Sequence, residues 1–266
     1  MKIGYHTIGW HAPLDEVVSR IAQLGFQGVE AYDLAGFLED EALEQRVIAA
    51  FARTRISFSG AFFGASLVEP DRLEDEEEFF HRNARYIRRL GGELAVVGGG
   101  KIRQDSELLD RPQLYKATHR LAEVALSEGL KLAFHPHAGT LVHTPQEIEQ
   151  FAERTDPTKV WFAFDTAHLK SGGGDPVRLF ERYLLRLTAV HLKDLRAGSF
   201  CELGEGDLDL TGVFRVLQDG GYAGWVIVEL DEPEDAHRSA LINLRFLQEK
   251  LGVLLPDPGS SQAPDA

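Results

Sequence analysis

The sequence predicts a single-domain α/β protein of the (β/α)8 TIM-barrel class. Three observations predict it. The chain has 266 residues, and a barrel of about 250 residues uses nearly all of them as one domain. Short runs rich in Val, Ile, Phe and Ala alternate with amphipathic stretches from end to end, in a pattern that accommodates eight strand–helix units. The competing doubly wound sheet usually carries a Gly-rich turn after its first strand, and Thr7-Ile8-Gly9-Trp10 is not one. Hydrophobic residues make up 44% of the chain, enough for a sizeable core.

In order, the first strand reads as Lys2–Thr7. Leu14, Val17, Val18, Ile21 and Leu24 then recur three and four apart, a helical stripe that stops at Gly25. The second and third strands are Gly28–Tyr32 and Ile56–Phe62. The acidic run Glu74-Asp75-Glu76-Glu77-Glu78 reads as a solvated first helical turn favoured by the helix dipole. Its helix continues through Phe79, Phe80, Ala84, Ile87 and Leu90 to Gly91-Gly92. The fourth strand is Leu94–Gly98. The following Gly98-Gly99-Gly100-Lys101 is no phosphate loop, because its spacing is wrong and Ile102 stands where Ser or Thr is required. Leu121, Val124, Ala125 and Leu126 lead to Gly129, and the fifth strand is Lys131–His137. Thr144-Pro145-Gln146-Glu147 reads as an N-cap with proline at the first helical position. The sixth strand is Val160–Asp165, and Gly174-Asp175-Pro176 opens the next helix in the same way. The seventh strand is Ala189–Asp194, followed by a helix carrying Val213 and Leu217 that stops at Gly220-Gly221. The eighth is Trp225–Asp231, and the last helix runs over about Asp235–Leu251. The barrel therefore spans 1–252. Residues 253–266 are expected to be a disordered tail, since Pro256–Ala266 is rich in Pro, Ser, Gly and Asp without periodicity.

The formal net charge of −14 repels phosphate backbones and anionic lipid, which argues against a non-specific nucleic-acid or membrane binder. One cysteine, Cys201, excludes an intrachain disulfide. No signal-peptide pattern opens the chain, and no apolar run approaches the ~18–20 residues of a membrane span. The expected location is the cytoplasm.

A barrel places its catalytic residues at the carboxyl ends of its strands. Strands five to eight end in Phe134-His135-Pro136-His137, Phe164-Asp165-Thr166-Ala167-His168, His191-Leu192-Lys193-Asp194 and Val228-Glu229-Leu230-Asp231. Residues two apart share a face, so His135 with His137, His191 with Lys193, and Glu229 with Asp231 point into the barrel mouth. Charged groups there are costly to desolvate unless paired or bound to metal. His135, Asp165, His191 and Glu229 form a suitable ligand set for one divalent transition metal. A hydrogen-bonded network at the barrel end is the competing reading.

These residues carry a resemblance. The chain resembles the sugar phosphate isomerase/epimerase superfamily of xylose isomerase-like barrels up to about Gly252, and within it the inosose dehydratases. The match rests on Phe134-His135-Pro136-His137-Ala138-Gly139-Thr140, Asp165-Thr166-Ala167-His168 and Gly172-Gly173-Gly174-Asp175-Pro176. It continues through His191-Leu192-Lys193-Asp194, Glu202-Leu203-Gly204-Glu205-Gly206-Asp207 and Gly221-Tyr222-Ala223-Gly224-Trp225-Val226-Ile227-Val228-Glu229. The superfamily draws Glu, Asp, His and Glu from strands five to eight as metal ligands. The resemblance thus assigns Asp165, His191 and Glu229 to the metal, with His135 replacing the strand-five glutamate. The 3-epimerases use two glutamates as a symmetric acid/base pair. That pair is lost here, which favours dehydration or a one-sided proton transfer.

The resemblance further implies an enzyme that acts on a keto-polyol or sugar through an enediolate, with dehydration of a 2-keto-inositol as its first reading. An isomerase or epimerase with the same metal site is the alternative. His168 matches a histidine that contacts substrate oxygens. His168, Lys193 and Glu202 are the acid/base and orienting candidates, and Glu229 doubles as a base. Lys193 suits proton transfer if burial lowers its pKa; pairing with Asp194 or Glu202 is the plainer expectation. His6, Glu30 and His137 are assigned to the substrate, Glu30 equally to holding the barrel mouth. Mn²⁺ or Co²⁺ suits the mixed N/O set, with Zn²⁺, Fe²⁺ and Mg²⁺ open. The expected partner is a small sugar or polyol, with neither nucleic acid nor membrane, and a homo-oligomer is compatible with this reading. An abasic-site endonuclease of the superfamily is disfavoured by the −14 charge. A non-catalytic sugar-binding barrel is disfavoured by the four-ligand set.

Overall fold

The computed structural model describes residues 1–32, 34, 40–103 and 107–255. Seven parallel strands, β1 (Lys2–His6), β2 (Gly28–Tyr32), β3 (Ser57–Ala65), β4 (Leu94–Gly99), β5 (Lys131–His135), β6 (Val160–Asp165) and β7 (Leu187–Leu192), form most of a barrel. An antiparallel hairpin of β8 (Asp194–Arg196) and β9 (Ser199–Cys201) follows. Strand β10 (Trp225–Val228) then closes the barrel between β7 and β1. The helices are α1 (Leu14–Gln23), α2 (Glu41–Thr54), α3 (Leu73–Arg89), α4 (Glu107–Ser127), α5 (Pro145–Arg154), α6 (Thr166–Ser171), α7 (Pro176–Tyr183), α8 (Leu210–Asp219) and α9 (Ala236–Leu251).

Local chemistry explains the boundaries. Thr144 and Glu147 close a reciprocal capping box at the start of α5. Asp175, Asp209 and Asp235 cap α7, α8 and α9, each accepting from a backbone N–H three residues on. Strand β5 stops at His135, two residues before the expected end, because Pro136 has no N–H to continue the ladder. Strand β7 begins at Leu187 and ends at Leu192, and β10 ends at Val228. Several expected strand-end residues thus stand on the first loop residues past the ladder. Two readings are corrected. Glu76 is not merely solvated: its carboxylate accepts from Ser66 N and Leu67 N at 2.9 Å each, pinning the loop after β3 to α3. The tail does not loosen at 253, since Val253 N donates to Leu247 O and Leu255 is buried in the core. The expected disorder of 256–266 lies outside the described residues.

The core has two shells. Outward-facing Ile3, Tyr5, Leu132, Phe134, Phe162, Phe164, Val190 and Val226 pack under the helices. Inside the barrel lie Leu94, Val96, Ala133, Ala163, Ala189, Trp225 and Ile227, with Phe62 against them. The Trp225 ring fills the floor because Gly28 gives it room: a Cβ at Gly28 would meet the indole at 2.3 Å. The barrel is thus a packed cylinder, with a buried polar cluster at its carboxyl end.

Candidate active site

Strand alternation builds the site from the interior layer upward. Ala133, Ala163, Ala189 and Ile227 line the barrel, and two residues on from each stands His135, Asp165, His191 or Glu229. Gly4 and Gly28 similarly precede His6 and Glu30, which pair across β1 and β2. Asp165 is opposite His191 in the β6–β7 register. All six polar side chains are buried.

The structure brings most of the sequence candidates together. His135, Asp165 and His191 offer ligand atoms within 4.8 Å of one another. Glu229 joins through His191, whose Nδ1 lies 2.6 Å from Glu229 Oε2. The other nitrogen of His191, Nε2, lies 2.7 Å from Glu30 Oε1, which is itself 3.5 Å from His6 Nε2. Lys193 is fully buried and donates to Glu229 Oε1 at 2.7 Å and to Asp231 at 3.0 and 3.1 Å, with Asp165 Oδ2 at 3.5 Å. Its backbone is clamped by the Thr166 hydroxyl, which accepts from Lys193 N and donates to Lys193 O. His168 stands on the first turn of α6, whose N-cap is Asp165: one carboxylate oxygen accepts from His168 N at 2.7 Å. The His137 and His168 rings are 3.9 Å apart, and with His135 they form a second group of donors within 4.8 Å.

The donor chemistry fits one cation. His135 Nδ1, Asp165 Oδ2, His191 Nδ1 and Glu229 Oε2 are each buried without an aligned hydrogen bond. Each of the four expected ligands thus offers at least one such atom, with His191 Nδ1 and Glu229 Oε2 2.6 Å from each other, and His191 Nε2, His6 Nε2 and both Glu30 oxygens share the condition. Buried polar atoms normally find partners, and a divalent cation satisfies two imidazoles and two carboxylates together.

The electrostatics divide the site. Burial, with His191 and His168 alongside, holds His135 well below the usual imidazole range. Burial, with Lys193 and His137 nearby, pushes His168 down to about 2. Both are therefore neutral imidazoles at pH 7. Burial would lower Lys193, but Glu229, Asp165 and Asp231 outweigh it and raise the ammonium above its ordinary value. This corrects the expectation of a lowered lysine; the alternative, a lysine paired with a carboxylate, holds in kind, but the partners are Glu229 and Asp231 and not Asp194 or Glu202. Burial would raise Glu229, but Lys193, His191 and His6 hold it well below the carboxylate range.

Glu202 is not brought to this cluster; its carboxylate accepts from Ser239 Oγ on α9 at 2.5 Å. Asp194 instead ties β8 to the loop after β9, accepting from the backbone N–H of Leu195, Gly204, Gly206 and Leu208. His137 lies past the end of β5, its Nδ1 2.8 Å from Ala138 O. Three groups escaped the sequence reading as site residues. Asp231 was legible as facing the mouth with Glu229, but its pairing with Lys193 was not. Phe200, on β9, lies 4.5 Å by ring centroid from Lys193 Nζ and 5.2 Å from the His168 ring. Phe62 sets its ring edge-to-face with His135 at 5.5 Å and stacks on the exposed Tyr32 at 6.0 Å. No local motif marks an aromatic that closes a site from another strand. Gly98 was a partial signal, since a Cβ there would meet the Phe62 ring at 2.7 Å.

Such a barrel, with this polar layer at its carboxyl end, defines a family. The chain belongs to the xylose isomerase-like TIM barrel family, whose profile it matches over residues 18–250, and it is an enzyme of that family. Among its relatives, the inosose dehydratase of Geobacillus kaustophilus is 32% identical over 264 residues, spanning 86% of this chain and 84% of the relative. The fold is similar to that of the probable 3-DHS dehydratase of Bacillus anthracis, with a TM-score of 0.82 and 15% identity over 94% of this chain and 100% of that one. It is also similar to the D-allulose 3-epimerase of Methylomonas sp., with a TM-score of 0.80 and 19% identity over 94% and 97%. Among the described residues, no helix is long and apolar enough to cross a membrane.

Proposed function

We propose that this protein dehydrates a 2-keto-inositol, or a closely related cyclic keto-polyol, using one divalent cation held by His135, Asp165, His191 and Glu229. The observation that carries the reading is the convergence of buried ligand atoms of His135, Asp165 and His191 within 4.8 Å of one another, with Glu229 Oε2 2.6 Å from His191 Nδ1, beside a lysine whose ammonium form is favoured. The relationship to an inosose dehydratase supports the substrate class. The cation supplies Lewis acidity toward a carbonyl and its adjacent hydroxyl, which acidifies the α C–H bond. Mn²⁺ or Co²⁺ suits the mixed donor set.

The chain's own residues supply the proton transfers. Glu229 is ionised and has two differently placed oxygens: Oε2 faces His191, while Oε1 faces Lys193. The carboxylate is the base that takes the α-proton, leaving an enediolate. Lys193 is the acid that protonates the departing β-hydroxyl, which leaves as water. Base and acid are 2.7 Å apart, so both protons move on one face of the substrate ring. That is a syn elimination. The neutral imidazole of His168 and the side chain of His137 hydrogen-bond substrate hydroxyls at the rim. Tyr32, Phe62 and Phe200 supply apolar faces for ring C–H groups and shield the reacting carbons from water. A 3-epimerase needs a carboxylate on each face of its substrate, and His135 stands where the second would be.

The test follows both outcomes at once. The Mn²⁺- or Co²⁺-loaded protein is incubated with 2-keto-inositol and, separately, with fructose, tagatose and psicose. The expected result is rising ultraviolet absorbance from a dehydrated diketone with the keto-inositol alone. Turnover of the ketoses with no dehydration would replace this reading by the epimerase.

A further inference from the structure

We infer that Glu30, backed by His6, is a positioning residue that fixes the tautomer of His191 and leaves its Nδ1 free for the cation. This assigns neither residue to the substrate, and it rests on the cation site proposed above.

Ile8 N–H donates to His6 Nδ1 at 3.2 Å. That nitrogen is therefore an acceptor, and the ring proton of neutral His6 lies on Nε2. His6 Nε2 lies 3.5 Å from Glu30 Oε1. Glu30 is fully buried and neither of its oxygens has an aligned hydrogen bond; the ring nitrogens within reach are His6 Nε2 at 3.5 Å and His191 Nε2 at 2.7 Å. A buried carboxylate needs N–H donors, and the nearest is His191 Nε2 at 2.7 Å. His191 thus lies between two carboxylates, with Glu30 on its Nε2 side and Glu229 on its Nδ1 side. His135 and Asp165 share the group of converging donors with His191; Glu229, on the Nδ1 side, meets Asp165 through Lys193, which lies 2.7 Å from one and 3.5 Å from the other, while Glu30 lies on the Nε2 side of the ring. An imidazole ligates through one lone pair and carries its proton on the other nitrogen, where an acceptor fixes ring orientation and raises basicity. Glu30 is that acceptor. Its position is a consequence of strand register: His6 and Glu30 are direct partners across β1 and β2, each two residues above a glycine of the barrel interior.

Two measurements test this. In Zn²⁺-loaded protein labelled with ¹⁵N-histidine, long-range ¹H–¹⁵N spectra are expected to show His191 protonated at Nε2 and metal-shifted at Nδ1. The reverse pattern overturns the inference, and this arm needs no variant to fold. In chelator competition, Glu30→Gln is expected to weaken Zn²⁺ binding by about 10–100-fold. Glu30→Gln that binds Zn²⁺ as tightly as the natural protein, with only KM for the keto-polyol raised, would make Glu30 a substrate contact and overturn the inference alone. A natural protein that binds no Zn²⁺ would overturn both this inference and the cation site beneath it.

Discussion

At the scale of single residues, Asp165 and His168 are adjacent yet separable. One Asp165 oxygen caps α6 through His168 N, and the other is an orphaned donor in the cluster. Asp165→Asn keeps a capping oxygen and removes the anionic ligand. Metal content and activity are then expected to fall together, with partial rescue by excess metal. Asp165→Ala adds the loss of the cap, worth about 1 kcal/mol of stability. His168→Ala is expected to retain its metal and lose about 10²–10⁴-fold in kcat. His135→Ala should empty the site like Asp165→Asn, and His137→Ala should not; metal analysis of the purified variants with steady-state kinetics decides. If His137→Ala loses metal while His135→Ala keeps it, His137 is the ligand. The sequence made these positions legible because a period of two survives even one residue past a strand end. Lys193 shows where that legibility stopped. Burial alone implied a lowered amine, and only the spatial sum of Glu229, Asp165 and Asp231 reverses the sign.

At the scale of elements, the eight barrel strands announced themselves by apolar runs and Gly stops, whereas the β8–β9 hairpin did not. Its strands are three residues each, too short for a periodic signal. Its turn, Ala197-Gly198, takes positive φ at both positions without the Asn-Gly signature of such turns. The hairpin nevertheless bears on function, because it carries Phe200 over Lys193 and His168. It is held from below by Asp194, whose carboxylate collects four backbone N–H groups. Phe200→Ala is expected to leave metal content and thermal stability near those of the natural protein and to raise KM for a cyclic keto-polyol several-fold, since about 0.5–1 kcal/mol of ring contact is lost. Asp194→Ala is expected to raise KM as well, but with a lower Tm, because the N–H groups it served lose their acceptor. An unchanged KM in both variants would place the substrate away from this hairpin.

At the scale of the whole molecule, the polar layer that makes the site also sets how stability depends on pH. Burial lowers His6, His135 and His168 in the folded chain, His168 to about 2. The unfolded chain binds protons at these imidazoles from about pH 6.5 downward, while the folded chain resists. Their contribution to stability is therefore complete above about pH 6.5 and is lost as pH falls below it. His191 has the opposite sign: Glu30 and Glu229 overcome burial and hold it well above its ordinary value. Its contribution is complete below about pH 6.5 and is lost as pH rises through the raised folded value. Asp231, pushed by burial up to about 6, partly offsets the imidazoles between there and its ordinary carboxylate range. The uncompensated imidazoles still leave the unfolded chain binding more protons below pH 6. Stability of the metal-free protein is thus expected to peak near pH 6.5 and to fall on acidification by about 1.4 kcal/mol per pH unit for each uncompensated proton. Urea midpoints between pH 7 and 5 measure the slope. His168→Gln removes one of the resisting imidazoles, so its slope should be shallower by about one proton. A midpoint that holds constant or rises from pH 6.5 to 5 would mean that the folded barrel takes up these protons as readily as the unfolded chain, and the neutral imidazole layer assigned to the site would be wrong.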